Sequence, residues 1–281
     1  MRAEKSLQDG NLQEALKQLQ DEVRANPADA KLRVFLFQLL SVLGDWGRAL
    51  NQLDVSGNLD AGTLAMVQTY REALRCEALR ADVFAGKRSP LVFGDPEPGV
   101  ALVLEALKLS VEGNHAEAQK LRAQAYETVP TADGMVDGQP FEWIADADSR
   151  IGPFLEAVIN GNYYWVPFHR IHRIQFENPQ DLRDMVWTPA QFTWANGGQM
   201  VGLIPTRYPG SENSDDAQIL LAHKTEWQDM GNEAYFGLGQ RILATDSTDY
   251  PLIDIRDITL DTVESATAET WDAATQDSRE G

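Results

Sequence analysis

Cysteine is almost absent from this chain of 281 residues: Cys76 is its one thiol. No internal disulfide can form, and a reducing compartment fits. Long apolar runs are missing too. The longest, Val34 to Leu43, spans ten residues and is interrupted by Gln38 and Ser41. That is about half of the ~20 residues a membrane-spanning helix needs. Positive charge is scarce, with 24 Lys and Arg against 43 Asp and Glu and a net charge of −19. Such a surface repels phosphate backbones and anionic lipid, so nucleic acid and membranes are excluded as expected partners. The sequence also lacks a Gly-x-x-x-x-Gly-Lys-Ser/Thr loop, a His-Glu-x-x-His pair, a Cys-x-x-Cys pair and a Gly-x-Ser-x-Gly elbow. The common signatures of phosphate binding, zinc hydrolysis, thiol redox chemistry and acyl transfer go with them. The stretch Met1 to Leu7, with Glu4 inside it and Asp9 beyond, has no apolar signal-peptide core. A cytoplasmic protein acting on proteins or small molecules is expected.

What is present divides in two. With 43% hydrophobic and 24% charged residues, the chain can bury a sizeable core. Residues 1–130 carry 15 basic and 18 acidic side chains, whereas residues 131–281 carry 9 and 25. The charge break falls at Pro130-Thr131-Ala132-Asp133-Gly134, a boundary signal. Before it, Leu7, Leu12, Leu16, Leu19 and Val23 recur at helical spacing until Pro27. The phrase Gly10-Asn11-Leu12-Gln13-Glu14-Ala15 returns 34 residues later as Gly44-Asp45-Trp46-Gly47-Arg48-Ala49, and again as Gly113-Asn114-His115-Ala116-Glu117-Ala118. This is a degenerate tetratricopeptide-like period, in which glycine turns the chain and the small alanine lets helices approach. Leu64 to Phe84 reads as one long helix and Val100 to Val111 as another. Residues 1–130 are therefore expected to be a wholly helical repeat region, of the kind that binds peptides or helices along one face or serves as a bare platform.

After the break the pattern changes, and five of the seven tryptophans lie between 143 and 227. Met185–Ala195 and Met200–Pro205 flank Asn196-Gly197-Gly198-Gln199, a hairpin signal. Three further strands are read at Gln218–Trp227, Gly237–Thr245 and Leu252–Leu260, and a helix at Ala147–Asn160. The fold class is then α+β: the helical repeat region 1–130, a mainly antiparallel β-rich domain over 131–260 with about five strands, all after Trp143, and an acidic tail over 261–281. The tail reads as a mobile extension on which Val263 and Trp271 are the candidate anchors.

Several blocks of this second half carry a resemblance. Phe141-Glu142-Trp143-Ile144-Ala145-Asp146-Ala147-Asp148-Ser149-Arg150-Ile151-Gly152-Pro153, Tyr163-Tyr164-Trp165-Val166-Pro167-Phe168, Leu182 to Ala190, Ile204 to Glu212, Gly237 to Arg241 and Ile253 to Arg256 follow one another in an order that resembles the ImpE/TagJ (SciE-type) accessory proteins of bacterial type VI secretion systems. The resemblance runs from the repeats to about Leu260. It implies a non-enzymatic adaptor that contacts the small subunit of the contractile sheath through that subunit's N-terminal helix. In some members it implies an association with the hexameric AAA+ ATPase that disassembles the sheath. It supplies no catalytic residues and no cofactor.

Several residues invite chemistry, and each has a plainer reading. His169 and His172 are spaced to share a metal with Glu177, Asp146 or Asp148, which keeps a metal-dependent hydrolase or other enzyme with an unrecognised site as the alternative. Arg170 and Arg173 beside them disfavour a dication, so no metal is expected. Asp146 and Asp148 can share a proton, or else cap the following helix and pair with Arg150. Cys76 fits a buried helix thiol better than a nucleophile. Trp46, Tyr164, Trp165, Trp187, Tyr208 and Trp227, rimmed by Arg170, Arg207 and Arg241, are candidates for a groove that holds a partner's apolar helix, since aromatics and arginine dominate binding hot spots. The plainer reading is that the aromatics fill the core of the sheet and the arginines pair with acids such as Asp184, Glu212 or Asp254.

Overall fold

A computed structural model describes residues 2–94 and 97–262; the tail anchors Val263 and Trp271 lie outside the described residues. Helices α1 (Arg2–Gln8), α2 (Leu12–Ala25), α3 (Ala30–Val42), α4 (Trp46–Leu59) and α5 (Leu64–Phe84) come first. A short strand β1 (Leu91–Val92) precedes α6 (Pro98–Val111) and α7 (His115–Thr128). The sequence echo has one physical cause. Gly10, Gly44 and Gly113 all sit in the left-handed region, with φ of 73°, 71° and 82°. Each ends a helix by the same device, in which the following N–H reaches back five residues: Asn11 to the Ser6 carbonyl (2.8 Å), Asp45 to Leu40 (2.9 Å) and Asn114 to Leu109 (2.8 Å). Ala15, Ala49 and Ala118, five residues on, are fully buried where neighbouring helices meet.

The strands that follow are β2 (Gly134–Val136), β3 (Gln139–Phe141), β4 (Ile144–Asp146), β5 (Phe154–Ile159), β6 (Asn162–Pro167), β7 (Ile171–Phe176), β8 (Trp187–Trp194) and β9 (Gln199–Pro205). After the one-turn helix α8 (Ala217–Leu220) come β10 (Thr225–Asp229), β11 (Tyr235–Gly239), β12 (Ile242–Thr245), β13 (Asp249–Pro251) and β14 (Asp257–Leu260). Among the described residues they build a nine-stranded sheet in the order β1-β6-β5-β9-β8-β7-β14-β2-β3, a ribbon β10-β11 and a small sheet β13-β12-β4. The β8–β9 hairpin is where Asn196-Gly197-Gly198 placed it, closed by the Trp194 N–H on the Gly198 carbonyl at 2.8 Å.

The structure corrects six expectations. The main sheet is larger than five strands, and β1, β2 and β3 precede Trp143. β1 pairs parallel to β6, Leu91 opposite Tyr164, so the helical half lends the sheet its edge strand. The helix expected at Ala147–Asn160 is a turn followed by β5. All six residues of β5 are buried, with Phe154 and Val158 in the core beneath the helices and Leu155, Ala157 and Ile159 in the core on the opposite face. A strand covered on both sides loses its alternation, and its apolar spacing then imitates a helix. Gln218–Trp227 begins as α8, capped by the Asp216 carboxylate on the Gln218 N–H (2.8 Å), and only its end belongs to β10. Gly237–Thr245 breaks at Gly239, φ 89°, into β11 and β12 of different sheets, and Leu252–Leu260 opens with a 3-10 turn before β14.

The helices pack on one face of the large sheet. Phe37, Tyr70 and Leu74 share a single apolar core with Phe154, Tyr163, Trp165 and Trp187. A second core lies on the opposite face, around Leu155, Ile174, Phe192 and Leu243.

Candidate functional site

Between α5 and the sheet lies a cluster of buried charge. α5 presents Val67, Tyr70, Leu74, Glu77 and Arg80 inward, so its apolar stripe ends in an ion pair. Arg80 Nε donates to Glu156 Oε1 at 2.6 Å, and its Nη2 donates to Glu156 Oε2 (3.1 Å) and to the Arg207 carbonyl (2.7 Å). Glu77 accepts from the Trp187 indole at 2.8 Å. Tyr163 donates its hydroxyl to Glu156 at 2.6 Å and accepts from the Trp165 indole at 2.8 Å. Arg241, fully enclosed, is clamped by Asp146 on one side and Glu156 on the other, and its Nε donates to the Pro205 carbonyl at 2.9 Å. Asp148 is bridged to Arg150 at 2.5 Å and accepts from the Gly237 N–H at 2.8 Å, tying the turn before β5 to β11.

These environments split the acids. Burial pushes Glu156 upward, but Arg80 and Arg241 outweigh it and bring the carboxyl down to about 2. Burial dominates at Asp146, raising it to about 7 against the pull of Arg241. Glu77 is also raised by burial, against Arg80 and the Trp187 indole. Arg241 loses by burial and gains more from its two carboxylates, so it stays charged. Asp146 thus has a higher pKa folded than unfolded. Its contribution to stability is complete below about pH 4 and is lost as pH rises through about 7. Asp146→Asn, which imitates the protonated acid, should therefore gain on the wild type as pH rises from about 4.5 to 7.5. Urea midpoints of the two proteins across that range check this; a constant difference contradicts it.

The nine groove candidates separate sharply. Trp165 is enclosed between Phe84 and Phe154, with ring centres at 5.9 and 6.0 Å. Trp187 lies against Trp46 (5.9 Å) and Tyr70 (5.7 Å). Tyr208 is buried beside Arg241, its hydroxyl bonded to the backbone of Ile242. With Arg207 and Arg241, also buried, these are interior residues rather than the walls of an open groove. The reason is the sheet's double cover: aromatics that look like surplus in the sequence fill the space between its faces and the layers around them. Trp46 and Tyr164 are half-buried, Tyr164 edge-on to Phe93. Arg170 is half-buried with its Nε 3.0 Å from Glu97. Trp227 is exposed, its ring 5.5 Å from Tyr208.

Arg207 does not pair with an acid. Its Nη1 donates to the carbonyls of Val42 (2.8 Å) and Leu220 (2.6 Å), so the ends of α3 and α8 direct their carbonyl dipoles at one guanidinium. Burial lowers it to about 10. Asp146 and Asp148 cap no helix, since none follows; the expected Arg150 pairing is present. His169 and His172 engage different partners, Glu97 at 3.0 Å and the Leu260 carbonyl at 3.2 Å. Among the described residues no group of three or more His, Cys, Asp or Glu side chains is placed to hold a metal ion. Cys76 is buried, its Sγ 3.6 Å from the Gly161 carbonyl, and burial raises the thiol to about 12. No described helix is long and apolar enough to cross a membrane.

Glu77, Arg80 and Glu156 carried no role in the sequence, and Tyr163 stood there only as part of the aromatic block Tyr163-Tyr164-Trp165. Glu77 and Arg80 carried a signal, being charged positions on the buried stripe of α5; Glu156 was masked by the mistaken helix.

These features define a class: an α+β protein whose helical hairpins and antiparallel sheet close over one buried ionic cluster. A family model described as ImpE protein matches residues 138–259. The type VI secretion system accessory component TagJ of Pseudomonas aeruginosa is 48% identical over 258 residues, which cover 92% of this chain and 90% of that protein. An X-ray crystal structure of a Vibrio parahaemolyticus protein superposes with a TM-score of 0.82 at 25% identity, covering 93% of this chain and 98% of that one. The chain belongs to the ImpE/TagJ family.

Proposed function

We propose that the protein is a non-enzymatic accessory adaptor of a type VI secretion machine, working in the cytoplasm. It holds the N-terminal helix of the contractile sheath's small subunit and stands between the sheath and the AAA+ ATPase that disassembles it. The observation that carries this reading is the 48% identity, across nearly the whole length, to a protein named as an accessory component of that system. The ionic cluster supports the non-enzymatic part, because Glu156 and Asp146 are engaged by arginines inside the fold. A groove of about 540 Å³ between α1, α3 and the 3-10 turn Ala61–Thr63 is the candidate seat. Leu7, Val34 and Phe35 form its apolar floor, with Glu4 and Asp60 beside them. An amphipathic helix lays a stripe at i, i+3, i+4 and i+7 into such a trough.

Calorimetry of the intact protein with the sheath subunit's N-terminal peptide tests this. Because the peptide folds as it docks, an affinity on the order of micromolar is expected. Phe35→Ala should weaken it by about thirtyfold or more in protein that circular dichroism shows to be still folded at the temperature of the titration, since Phe35 also packs on the core. Folded protein that gives no heat with peptide on the order of hundreds of micromolar overturns the contact.

A further inference from the structure

The seam between α7 and β11 joins groups that do not match. His115, Gln119 and Arg122 recur at i, i+4 and i+7, so they line one stripe of α7. Phe236 of β11 meets that stripe, its ring centre 6.3 Å from the His115 ring and 5.8 Å from the Arg122 guanidinium carbon. Four polar atoms along the stripe are buried without a hydrogen-bond partner: His115 Nδ1, Gln119 Oε1, and Nε and Nη1 of Arg122. Arg122 is 1% exposed, and its Nη2 alone is engaged, donating to the Ser110 hydroxyl of α6. Buried polar groups are ordinarily paired, and an unpaired buried charge is the costliest exception.

The missing negative charge is not supplied from within. Asp148, the acid on that side, already accepts from Arg150 through both carboxylate oxygens and from the Gly237 N–H. Arg150 also lies on the Phe236 ring, 4.7 Å from its centre, so two guanidinium groups share the seam with one carboxylate. A positive surplus inside a chain of net charge −19 suits an anion, and guanidinium N–H groups bind oxyanions by charge-assisted hydrogen bonds. The two sides are also held unequally. β11 is tied to the turn before β5 by Tyr235 with Ser149 (3.0 Å) and Gly237 with Asp148 (2.8 Å), whereas among the described residues no hydrogen bond joins α7 to β11. We infer that the α6–α7 hairpin lifts from β11 to admit a small oxyanion, a phosphate or a carboxylate, which Arg122 binds through its unpartnered Nε and Nη1. This site is separate from the helix groove between α1 and α3, and neither proposal depends on the other.

The test is thermal melting of the full-length protein titrated with inorganic phosphate against sodium chloride of equal ionic strength, with N-acetylaspartate methylamide as the carboxylate arm. Arg122→Met is the companion variant, and the Arg122 Nε–H resonance of the wild type is followed by NMR in parallel. Phosphate at about ten times its Kd should raise the wild-type melting temperature by about 3 °C and shift the Arg122 signal. Without phosphate, Arg122→Met should melt no lower than the wild type, because it removes an uncompensated buried charge, and it should lose the rise. A response to the aspartate probe as well assigns the occupant to an acidic side chain of another protein; a response to phosphate alone assigns it to free phosphate. An equal rise in Arg122→Met, which exclusion of phosphate from any protein surface would give, overturns the proposal. So does an Arg122 signal that neither anion moves, a result that stands even where the variant fails to fold.

Discussion

Replacing Glu156 by alanine should destabilise the protein by about 3–5 kcal/mol, the range for breaking a buried ion pair from one side. Domains of this kind have only about 5–15 kcal/mol in total, so the loss reaches a third of it or more. The magnitude follows from position. Glu156 accepts from Arg80 and Tyr163 and is the second carboxylate on Arg241, and all four side chains are buried. Its removal leaves Arg80 with Glu77 at 3.5 Å and Arg241 with Asp146 alone. Urea denaturation measures the loss. Glu156→Leu combined with Arg80→Met should be less destabilised than Glu156→Leu by itself, because no buried guanidinium is left facing an apolar side chain, while Glu77, raised by burial, keeps the Trp187 indole donor. Additive losses would show that the two groups are not coupled.

Trp187→Ala should cost about as much, roughly 3–5 kcal/mol, by a different route. The indole fills the space between Trp46 and Tyr70, and the truncated core cannot fully collapse around the gap. The indole N–H also leaves Glu77, a buried acid already raised by burial, without that donor. Trp227→Ala, on the exposed ribbon, should shift the urea midpoint by less than about 1 kcal/mol equivalent. A Trp187 variant with wild-type stability contradicts the packing described. The comparison also governs how binding data are read: a Trp165 or Trp187 variant that loses a partner has first lost its core.

The helical half was legible because its signals are local. Glycines that end helices and an alanine five residues later recur three times, with a proline stop after two of the three, Pro27 and Pro130, and each has a short-range cause. The β8–β9 hairpin was legible for the same reason. The sheet was not, since pairing such as β1 with β6 joins segments more than 70 residues apart and leaves no periodic trace. Nor was the ionic cluster. Arg241, at the end of a short apolar stretch, looks like any surface arginine until Asp146 and Glu156 are brought to it by separate strands. Candidate residues chosen for chemical type were therefore mostly real interior positions with a misjudged direction. Side chains on a half-covered sheet advertise inside and outside by alternation; on a doubly covered one they do not.

The wide spacing of the cluster's members also sets an order of events during synthesis. Arg80 waits for Glu156, 76 residues later, and Glu156 waits for Arg241, 85 residues after that. At about 5–20 residues per second, roughly 8–30 s pass on the ribosome between the appearance of the first arginine and the last. Throughout that interval α5 turns a half-apolar, half-charged flank outward with nothing to cover it. The hairpins α1–α2 and α3–α4 can wind as they emerge, but the shared interior closes only when the final third of the chain has left the exit tunnel. A nascent chain of this kind has its period of greatest exposure to chaperones and proteases in the middle of translation.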